Sequence, residues 1–455
     1  MNTAELLETA LERHRAGQLD EAAALYREVL QGDPDNADAL HLMGVVMFEG
    51  GSRAAAIDLI QRALAIDPKK PSAYNNLASI LFKEGRLDEA GRFCLEAIRM
   101  SPQFGEAWYN LGNIRQDQRR YDEALECYGR TLATTPDHAQ AHWNRALLWL
   151  LLGDYDKGWE EYEWRWRNEE LPTPAVDYPL PVWDGSPLGG KTIFLYAEQG
   201  MGDAIQFIRY VPLVQELGGR VILGCDRLVE RLFSQIHGIG NIVTPQSAVP
   251  SFTCHASLLS LPRIFGTRLE TIPARVPYLR PDETLSKEWA GRLADEPGLK
   301  VGIVWRGNPA QKVNPVRSCP AALLESLARI PGVRMFSLQK DPGEEGTPNG
   351  FKDIAADLDD FADTAAAVGQ LDVVISVCTS VAHLAGALGR PLWVMLAFNA
   401  DWRWLHGRDD SPWYPTARLF RQARRGDWQG VVDRVASELA VLARRRGANE
   451  ERAPK

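Results

Sequence analysis

The sequence lacks three features that would each point to a particular class of protein. No apolar run approaches the roughly 20 residues that a membrane-spanning helix needs, so we expect no membrane insertion. The first residues, MNTAELLETALERHRAG, lack the apolar core of a secretory signal, so we expect a cytoplasmic protein. The six cysteines form no C-x-x-C pair and show no regular spacing, which favours a reduced protein without a structural zinc.

Positive charge is scarce in the first third of the chain. Residues 1–166 contain 18 Lys and Arg against 27 Asp and Glu, which accounts for the whole formal net charge of −9. The remaining residues are balanced, with 33 of each sign. Because an acidic surface repels phosphate, we expect no nucleic-acid partner.

A period of 34 residues runs through residues 1–167. The positions that keep step with it are Pro34, Pro68, Pro102 and Pro136, then Ala22, Ala56, Ala90 and Ala124, then Leu40, Tyr74 and Trp108. Small residues facing large ones let two helices pack closely, and the pattern resembles about five tetratricopeptide repeats. The last repeat ends in Trp159, Trp164 and Trp166, which we expect to cap the array or to pack against the next domain. The resemblance implies a concave surface that binds a protein or peptide.

Three asparagines, Asn76, Asn110 and Asn144, also lie 34 residues apart. On the first helices of successive repeats they would form a ladder facing the groove. An amide donates and accepts at once, which suits an extended peptide of any sequence, so these are candidate acceptor-binding residues. A similar ladder occurs in the repeats of eukaryotic O-linked N-acetylglucosamine transferase. The alternative is that Asn suits this repeat position and stays solvated.

Residues 168–190 are rich in proline and glycine, which is typical of a linker. Residues 185–192 match the phosphate-loop pattern G-x-x-x-x-G-K-[ST]. A phosphate loop follows a strand and opens a helix, whereas here prolines precede the match and a predicted strand follows it. We therefore interpret Lys191 as a solvated residue before the strand.

From residue 191 onward, predicted strands alternate with predicted helices. The strands are expected at 193–197, 220–224, near 241, at 300–305, 334–338, 372–377 and 392–396. Two consecutive series of this kind, 191–296 and 297–445, predict an α/β region of two Rossmann-like halves that face a cleft. Residues 446–455 are charged and are expected to be disordered.

Each half carries one strand–turn–helix stretch suited to a ligand. In the first, a strand is followed by Gly200 and Gly202 and by a helix that Asp203 is expected to open. Glycines let a ligand approach the backbone, and the helix end offers free N–H groups. In the second, Thr379 and Ser380 lie at a predicted helix N-terminus with His383 one turn further on.

The second stretch is suited to a phosphate, since N–H groups, hydroxyls and an imidazole would converge there. The alternative for residues 374–389 is a capped helix whose histidine packs on a neighbour. The stretch resembles the nucleotide-diphosphate motif of the lipopolysaccharide heptosyltransferase family, a GT-B fold. Residues 200–203 resemble that family's first-half motif, and residues 305–309 with Lys312 and Arg317 resemble its basic loop. The assembly is similar to bacterial tetratricopeptide-repeat glycosyltransferases, some of which modify proteins such as flagellin.

The resemblance implies a role for individual residues. Asp203 would be the catalytic base that takes the proton of an acceptor hydroxyl as this attacks the anomeric carbon. The implied donor-binding residues are Gly200, Gly202, Arg306, Asn308, Lys312, Arg317, Thr379, Ser380 and His383. The alternatives are an ordinary helix cap for Asp203 and a solvated loop for the two cations. No D-x-D motif is present, so we expect no metal, and no cofactor besides the nucleotide-sugar substrate.

The expected function is therefore an inverting, metal-independent glycosyltransferase whose repeats recruit a protein acceptor. Cys378 departs from the family pattern, because relatives usually carry Asp there. That departure keeps a second interpretation open, a non-catalytic scaffold with a degenerate transferase domain. A third is a transferase that acts on a cell-surface saccharide. Trp402 and Trp404 either line the cleft and stack a sugar or base, or form buried aromatic packing.

Overall fold

A computed structural model describes residues 2–171, 178–245, 247–311 and 314–452. These residues form two compact units, Met1–Leu148 and Trp149–Lys455. No helix within the described ranges is long and apolar enough to cross a membrane.

The first unit is a solenoid of antiparallel helix pairs. The helices are α1 (Thr3–Arg15), α2 (Leu19–Gly32), α3 (Ala37–Glu49), α4 (Arg53–Ile66), α5 (Pro71–Lys83), α6 (Leu87–Met100), α7 (Gly105–Asp117), α8 (Tyr121–Thr134) and α9 (Ala139–Leu152). Gly51 and Gly85 turn the chain within two pairs at φ +85° and +75°, a conformation that glycine adopts at little cost. The periodic alanines, among them Ala56 and Ala90, are fully buried, as the spacing predicts.

The second unit begins at Trp149, within α9, and its next element is a short aromatic helix. Helix α10 (Tyr155–Tyr162) continues into a 3-10 turn, Glu163–Arg167. Trp159 is buried, and its ring lies 5.3 Å from Trp402 and 6.3 Å from Phe207. Of the two alternatives for the aromatic end of the repeats, packing against the following α/β region is the observed one for Trp159.

A four-stranded parallel sheet follows. Its strands are β1 (Thr192–Tyr196), β2 (Arg220–Gly224), β3 (Ile239–Val243) and β4 (Cys254–Ser257), in the spatial order β3-β2-β1-β4. The accompanying helices are α11 (Met201–Phe207), α12 (Val211–Glu216), α13 (Arg227–Phe233) and α14 (Leu261–Ile264). The match to the phosphate-loop pattern runs into β1, and Lys191 is exposed, in agreement with its interpretation as a solvated residue.

A six-stranded parallel sheet forms the rest of the unit. Its strands are β5 (Leu299–Val304), β6 (Val333–Ser337), β7 (Lys352–Asp353), β8 (Val373–Ser376), β9 (Leu392–Leu396) and β10 (Ala417–Arg421), in the order β10-β9-β8-β5-β6-β7. The helices are α15 (Glu283–Arg292), α16 (Asn314–Arg317), α17 (Ala321–Ala328), α18 (Phe361–Gly369), α19 (Ser380–Ala387) and α20 (Trp428–Arg452). Core residues Val301, Ile303, Val373 and Ile375 are fully buried.

Three expectations about elements need correction. Asp203 does not open its helix: α11 begins at Met201, with Gly200 as its N-cap. The helix expected after Gly202 is broken by a 3-10 turn, Ile208–Tyr210, before Pro212, which has no N–H to continue the helical ladder. Helix α20 extends to Arg452, through part of the tail that we expected to be disordered.

Candidate functional site

The second sheet places four of the predicted donor-binding residues at one edge. The chain runs from β5 outward to β6 and β7 and then returns to β8 on the other side of β5. In open parallel sheets, ligands bind outside the carboxyl ends of the strands at such a reversal of strand order. Arg306 and Arg317 follow β5, and Thr379 and Ser380 follow β8. The fold therefore brings these four side chains to the same edge.

The loop after β5 is held by the neighbouring strand. The amides of Trp305 and Arg306 donate to Oε1 of Gln339, at 3.1 and 2.9 Å. The Arg317 guanidinium lies against the backbone of Gly307, where a Cβ atom would collide with it. Asn308 is exposed, and its side chain accepts the Ala310 amide at 2.9 Å.

Lys312, the cation expected to contact the donor phosphate, lies outside the described residues. Its role stays a prediction.

The turn after β8 has polar groups on one side and a thiol on the other. Thr379 is the N-cap of α19, and its hydroxyl lies 2.9 Å from the Ser376 hydroxyl. Cys378 Sγ accepts a hydrogen bond from Trp404 Nε1 at 3.2 Å. Burial raises the pKa of the Cys378 thiol to about 12, so it stays neutral. The position therefore lacks the charge that an Asp would bring.

His383 is packed rather than open to a ligand. It is buried, its Nδ1 lies 2.8 Å from the Tyr414 hydroxyl, and its ring stacks on Trp404 at 5.5 Å. Burial lowers the pKa of His383 to about 3, so the ring is neutral near pH 7. His383 therefore adds no positive charge that would hold a diphosphate.

Gly202 is required by packing between the two halves. A Cβ atom there would lie 2.9 Å from His383 Cδ2 and 3.4 Å from Ser380 Cα. Since real Cβ atoms almost never come that close to another heavy atom, only glycine lets α11 and α19 meet at their N-terminal ends. The two predicted motifs, one from each half, are thus in direct contact.

Asp203 lies at this contact and bonds to both halves. Its Oδ2 accepts the Gly200 amide at 3.0 Å, and its Oδ1 forms an ion pair with Arg403. Arg403 also pairs with Asp401, at 3.0 and 3.2 Å. Burial raises the pKa of Asp203, and the positive charge of Arg403 opposes that rise. The carboxylate is therefore a stronger base than an exposed aspartate.

Sequence reasoning overlooked Arg403. The signal was the segment 401–404, Asp-Trp-Arg-Trp, which follows β9 at the carboxyl edge of its sheet. We considered its tryptophans instead. Trp402 and Trp404 are buried, which agrees with aromatic packing and leaves no face for a sugar.

The three candidate asparagines of the repeats donate along the solenoid. Asn110 Nδ2 donates to Asn75 Oδ1 at 2.9 Å, and Asn144 Nδ2 to Asn113 Oδ1 at 2.8 Å. Asn76 Nδ2 lies 2.9 Å from a ring nitrogen of His41. All three are half-buried, so each amide links its repeat to the preceding one.

Comparison with known proteins identifies the repeats. Models of the tetratricopeptide repeat match residues 13–81, 49–111 and 109–163. The N-terminal region therefore consists of tetratricopeptide repeats, as the 34-residue period predicted, and such repeats imply a protein or peptide partner.

The chain is also similar to Protein FlbA of Caulobacter vibrioides, with 30% identity over 339 residues. The match includes 68% of this chain and 56% of that protein, so the chain spans a little over half the length of this relative.

Solved structures show weaker likeness. A crystal structure of MamA is 24% identical, with a TM-score of 0.32, over 35% of this chain and 94% of that one. YrrB, described as a TPR protein with an unusual peptide-binding site, is 21% identical, with a TM-score of 0.31, over 36% and 84%. Pseudomonas aeruginosa PilF is 18% identical, with a TM-score of 0.37, over 52% and 94%.

Proposed function

We propose that this chain is a glycosyltransferase of the GT-B type. It would transfer a sugar from a nucleotide-diphosphate sugar to a protein acceptor held by its tetratricopeptide repeats. The observation that carries the proposal is the contact between the helix ends of two parallel-sheet halves, with a half-buried carboxylate, Asp203, at that contact. The spatial orders β3-β2-β1-β4 and β10-β9-β8-β5-β6-β7 support two doubly wound halves.

Donor binding is assigned to the crevice between the ends of β5 and β8. The diphosphate would accept hydrogen bonds from the N-terminal amides of α19 and from the Ser380 hydroxyl, where the helix dipole favours negative charge. Arg317 would pair with its oxygens, and Lys312 would add a second cation. Together these groups would stabilise the leaving diphosphate as its negative charge develops.

Transfer would proceed by direct displacement. The acceptor oxygen forms a bond to the anomeric carbon, the bond from that carbon to the diphosphate oxygen breaks, and the diphosphate leaves with the electron pair. Asp203 takes the hydroxyl proton. A carboxylate offers about four acceptor sites, so the hydrogen bonds from Gly200 and Arg403 leave room for the acceptor hydroxyl.

Calorimetric titration of the full chain with a panel of nucleotide diphosphates and their sugars tests the donor site. We expect one nucleotide to bind, and Arg317→Met to weaken it by about tenfold, as loss of one charge-assisted hydrogen bond predicts. Arg329→Met is the matched control, because Arg329 is exposed and lies outside the crevice. An equal loss of nucleotide affinity in both variants, or no loss in either, would exclude Arg317 from the donor site.

A second candidate function is a binding scaffold with a degenerate transferase domain. The neutral, packed His383 and the neutral Cys378 favour it, because both reduce the charge available to a diphosphate. This candidate predicts no nucleotide binding across the panel together with intact partner binding by the repeats.

A further inference from the structure

The 3-10 turn after α10, Glu163–Arg167, carries a buried arginine, Arg165, next to the turn that leads from β1 to Asp203. Arg165 has no exposed side-chain surface, although the turn lies on the segment that leaves the repeats. It occupies the edge where β1 and β4 end, which is the point of strand-order reversal in the first sheet. An open crevice is expected at this edge of the sheet, and the Arg165 guanidinium fills it instead.

The hydrogen-bonding capacity of Arg165 is fully used. Its Nε and Nη2 contact the carboxylate of Glu198 at 3.1 and 2.7 Å, and Nη2 also donates to Ser260 Oγ at 2.7 Å. Its Nη1 donates to Glu163 Oε1 at 2.7 Å and to the Tyr162 carbonyl at 3.2 Å. An arginine with every donor satisfied holds one geometry.

Glu198 joins this network to the turn that carries Asp203. It is nearly fully buried and also accepts a hydrogen bond from the Ser257 hydroxyl. The next residue, Gln199, has φ +61°, a conformation that is costly for a residue with a side chain. Gly200 then donates its amide to Asp203 at 3.0 Å. Fixing Glu198 therefore fixes the strained turn and the carboxylate after it.

Burying these charges needs an explanation beyond stability. A buried ion pair is often no more stabilising than apolar residues of the same volume. Here Arg165 and Glu198 lie at the carboxyl edge of a parallel sheet, and Glu198 stands five residues before the candidate base, Asp203. Their location favours a role in geometry.

We propose that Arg165 is a positioning residue for Asp203, so that the segment leaving the repeats completes the transferase site. This inference rests on the proposed function. It assigns to Arg165 a part in the first-half site, whereas the donor crevice lies at the end of the second sheet. Loss of Arg165 should therefore lower turnover and leave donor binding intact.

The test compares full-length Arg165→Met and Arg165→Lys with Arg167→Met. Arg167 is the matched control, because it lies two residues away on the same turn and is exposed. We expect Arg165→Met to lower kcat by about 100-fold, as displacement of a reacting group by about 1 Å does, with the donor KM unchanged. Arg165→Lys should restore part of the loss, and Arg167→Met should match the wild type.

Hydrogen exchange at the Gly200 amide separates this inference from the proposed function, because it needs no activity. We expect exchange at least tenfold faster in Arg165→Met than in the wild type. Wild-type kcat and exchange in that variant would overturn the positioning role. If the wild type transfers no sugar, the proposed function fails and exchange alone decides whether Arg165 holds the turn. If Arg165→Met does not fold, Glu198→Gln takes its place, and wild-type exchange there overturns the inference.

Discussion

Asp203 and Arg403 lie 200 residues apart in the chain and meet as an ion pair near the contact between α11 and α19. The arginine is almost fully buried and contacts two carboxylates, Asp203 and Asp401. Burial raises the pKa of Asp203 while Arg403 limits that rise. The balance of these two effects sets the pH range over which the Asp203 carboxylate is ionised.

Replacing Asp203 with Asn should abolish transfer and spare donor binding. The substitution keeps the size of the side chain and removes its capacity to take a proton, and a general base contributes about 10²- to 10⁴-fold to the rate. Asp226→Asn is the control, since Asp226 also serves a helix end, as the N-cap of α13. Rates are measured with the bound nucleotide sugar; wild-type turnover in Asp203→Asn would exclude the base role.

The activity should fall as the pH drops through the pKa of Asp203, because only the ionised carboxylate accepts a proton. Arg403→Met removes the positive charge that opposes the effect of burial, so the pKa of Asp203 should rise further. The fall of kcat on the acid side of its pH profile, the acid limb, should then move to higher pH. Arg408→Met, which removes an arginine paired with the exposed Asp410, should leave the limb in place. An unmoved limb in Arg403→Met would contradict the assignment.

At this scale the sequence indicated Asp203 as a candidate base and did not indicate its ion-pair partner, Arg403. Asp203 stands in a local motif of strand, glycine turn and helix, which can be recognised from neighbouring residues alone. Arg403 meets Asp203 only because the two halves of the α/β region pack together, and no local sequence pattern encodes that contact. His383 stands in the expected motif, yet burial keeps its ring neutral and its Nδ1 lies beside the Tyr414 hydroxyl, so it does not hold a diphosphate as expected.

Among the elements, α11 and α19 set the distance between the two motifs. Gly202 faces His383 and Ser380 with no room for a methyl group. The glycine that suggested a ligand-binding turn is thus explained by helix packing, which sequence spacing does not distinguish from close approach to a ligand.

Gly202→Ala should lower the stability of the second unit. An extra carbon in a packed contact costs about 1–3 kcal/mol, because neighbouring atoms must shift. Gly291→Ala in α15 is the matched control, since nothing lies within 4 Å of a Cβ there; it should stabilise the helix by about 0.5–1 kcal/mol. Thermal unfolding of both variants measures the difference. Equal midpoints would show that the two helices do not meet at this residue.

Strand prediction was accurate where glycine or proline marked the ends. Strands β2 and β9 have the predicted bounds, 220–224 and 392–396. Strand β10 was missed because Arg418 and Arg421 interrupt its apolar pattern. Helix α15 was missed because Trp289 is its single fully buried side chain, which leaves little periodicity to detect.

For the whole molecule, the repeats should determine acceptor affinity and the α/β region donor affinity. Asn110→Ala removes one amide of the ladder and should weaken acceptor binding by about 3- to 10-fold, the value of one hydrogen bond, with donor binding unchanged. Gln61→Ala on the exposed face of α4 is the control. Binding of an acceptor peptide is measured by fluorescence anisotropy; equal affinity in the two variants would leave the ladder with its structural role alone.

The order of the repeats and the α/β region was predictable, because a 34-residue period and a later change to β-α alternation are both visible in the sequence pattern. The contact between Arg165, in the segment after the repeats, and the first sheet was not predictable from the sequence. Arg165 reaches Glu198 and Ser260 across 33 and 95 residues, and nothing next to Arg165 in the sequence shows that its side chain will be buried.

The separation of Asp203 from Arg403 has a consequence during protein synthesis. At roughly 5–20 residues per second, the arginine leaves the ribosome about 10–40 s after the aspartate. For that interval the first sheet has a carboxylate at its edge without the cation that later balances it. Nascent chains that stop before residue 403 would retain this uncompensated charge, and we expect them to be cleared by proteases sooner than the finished chain.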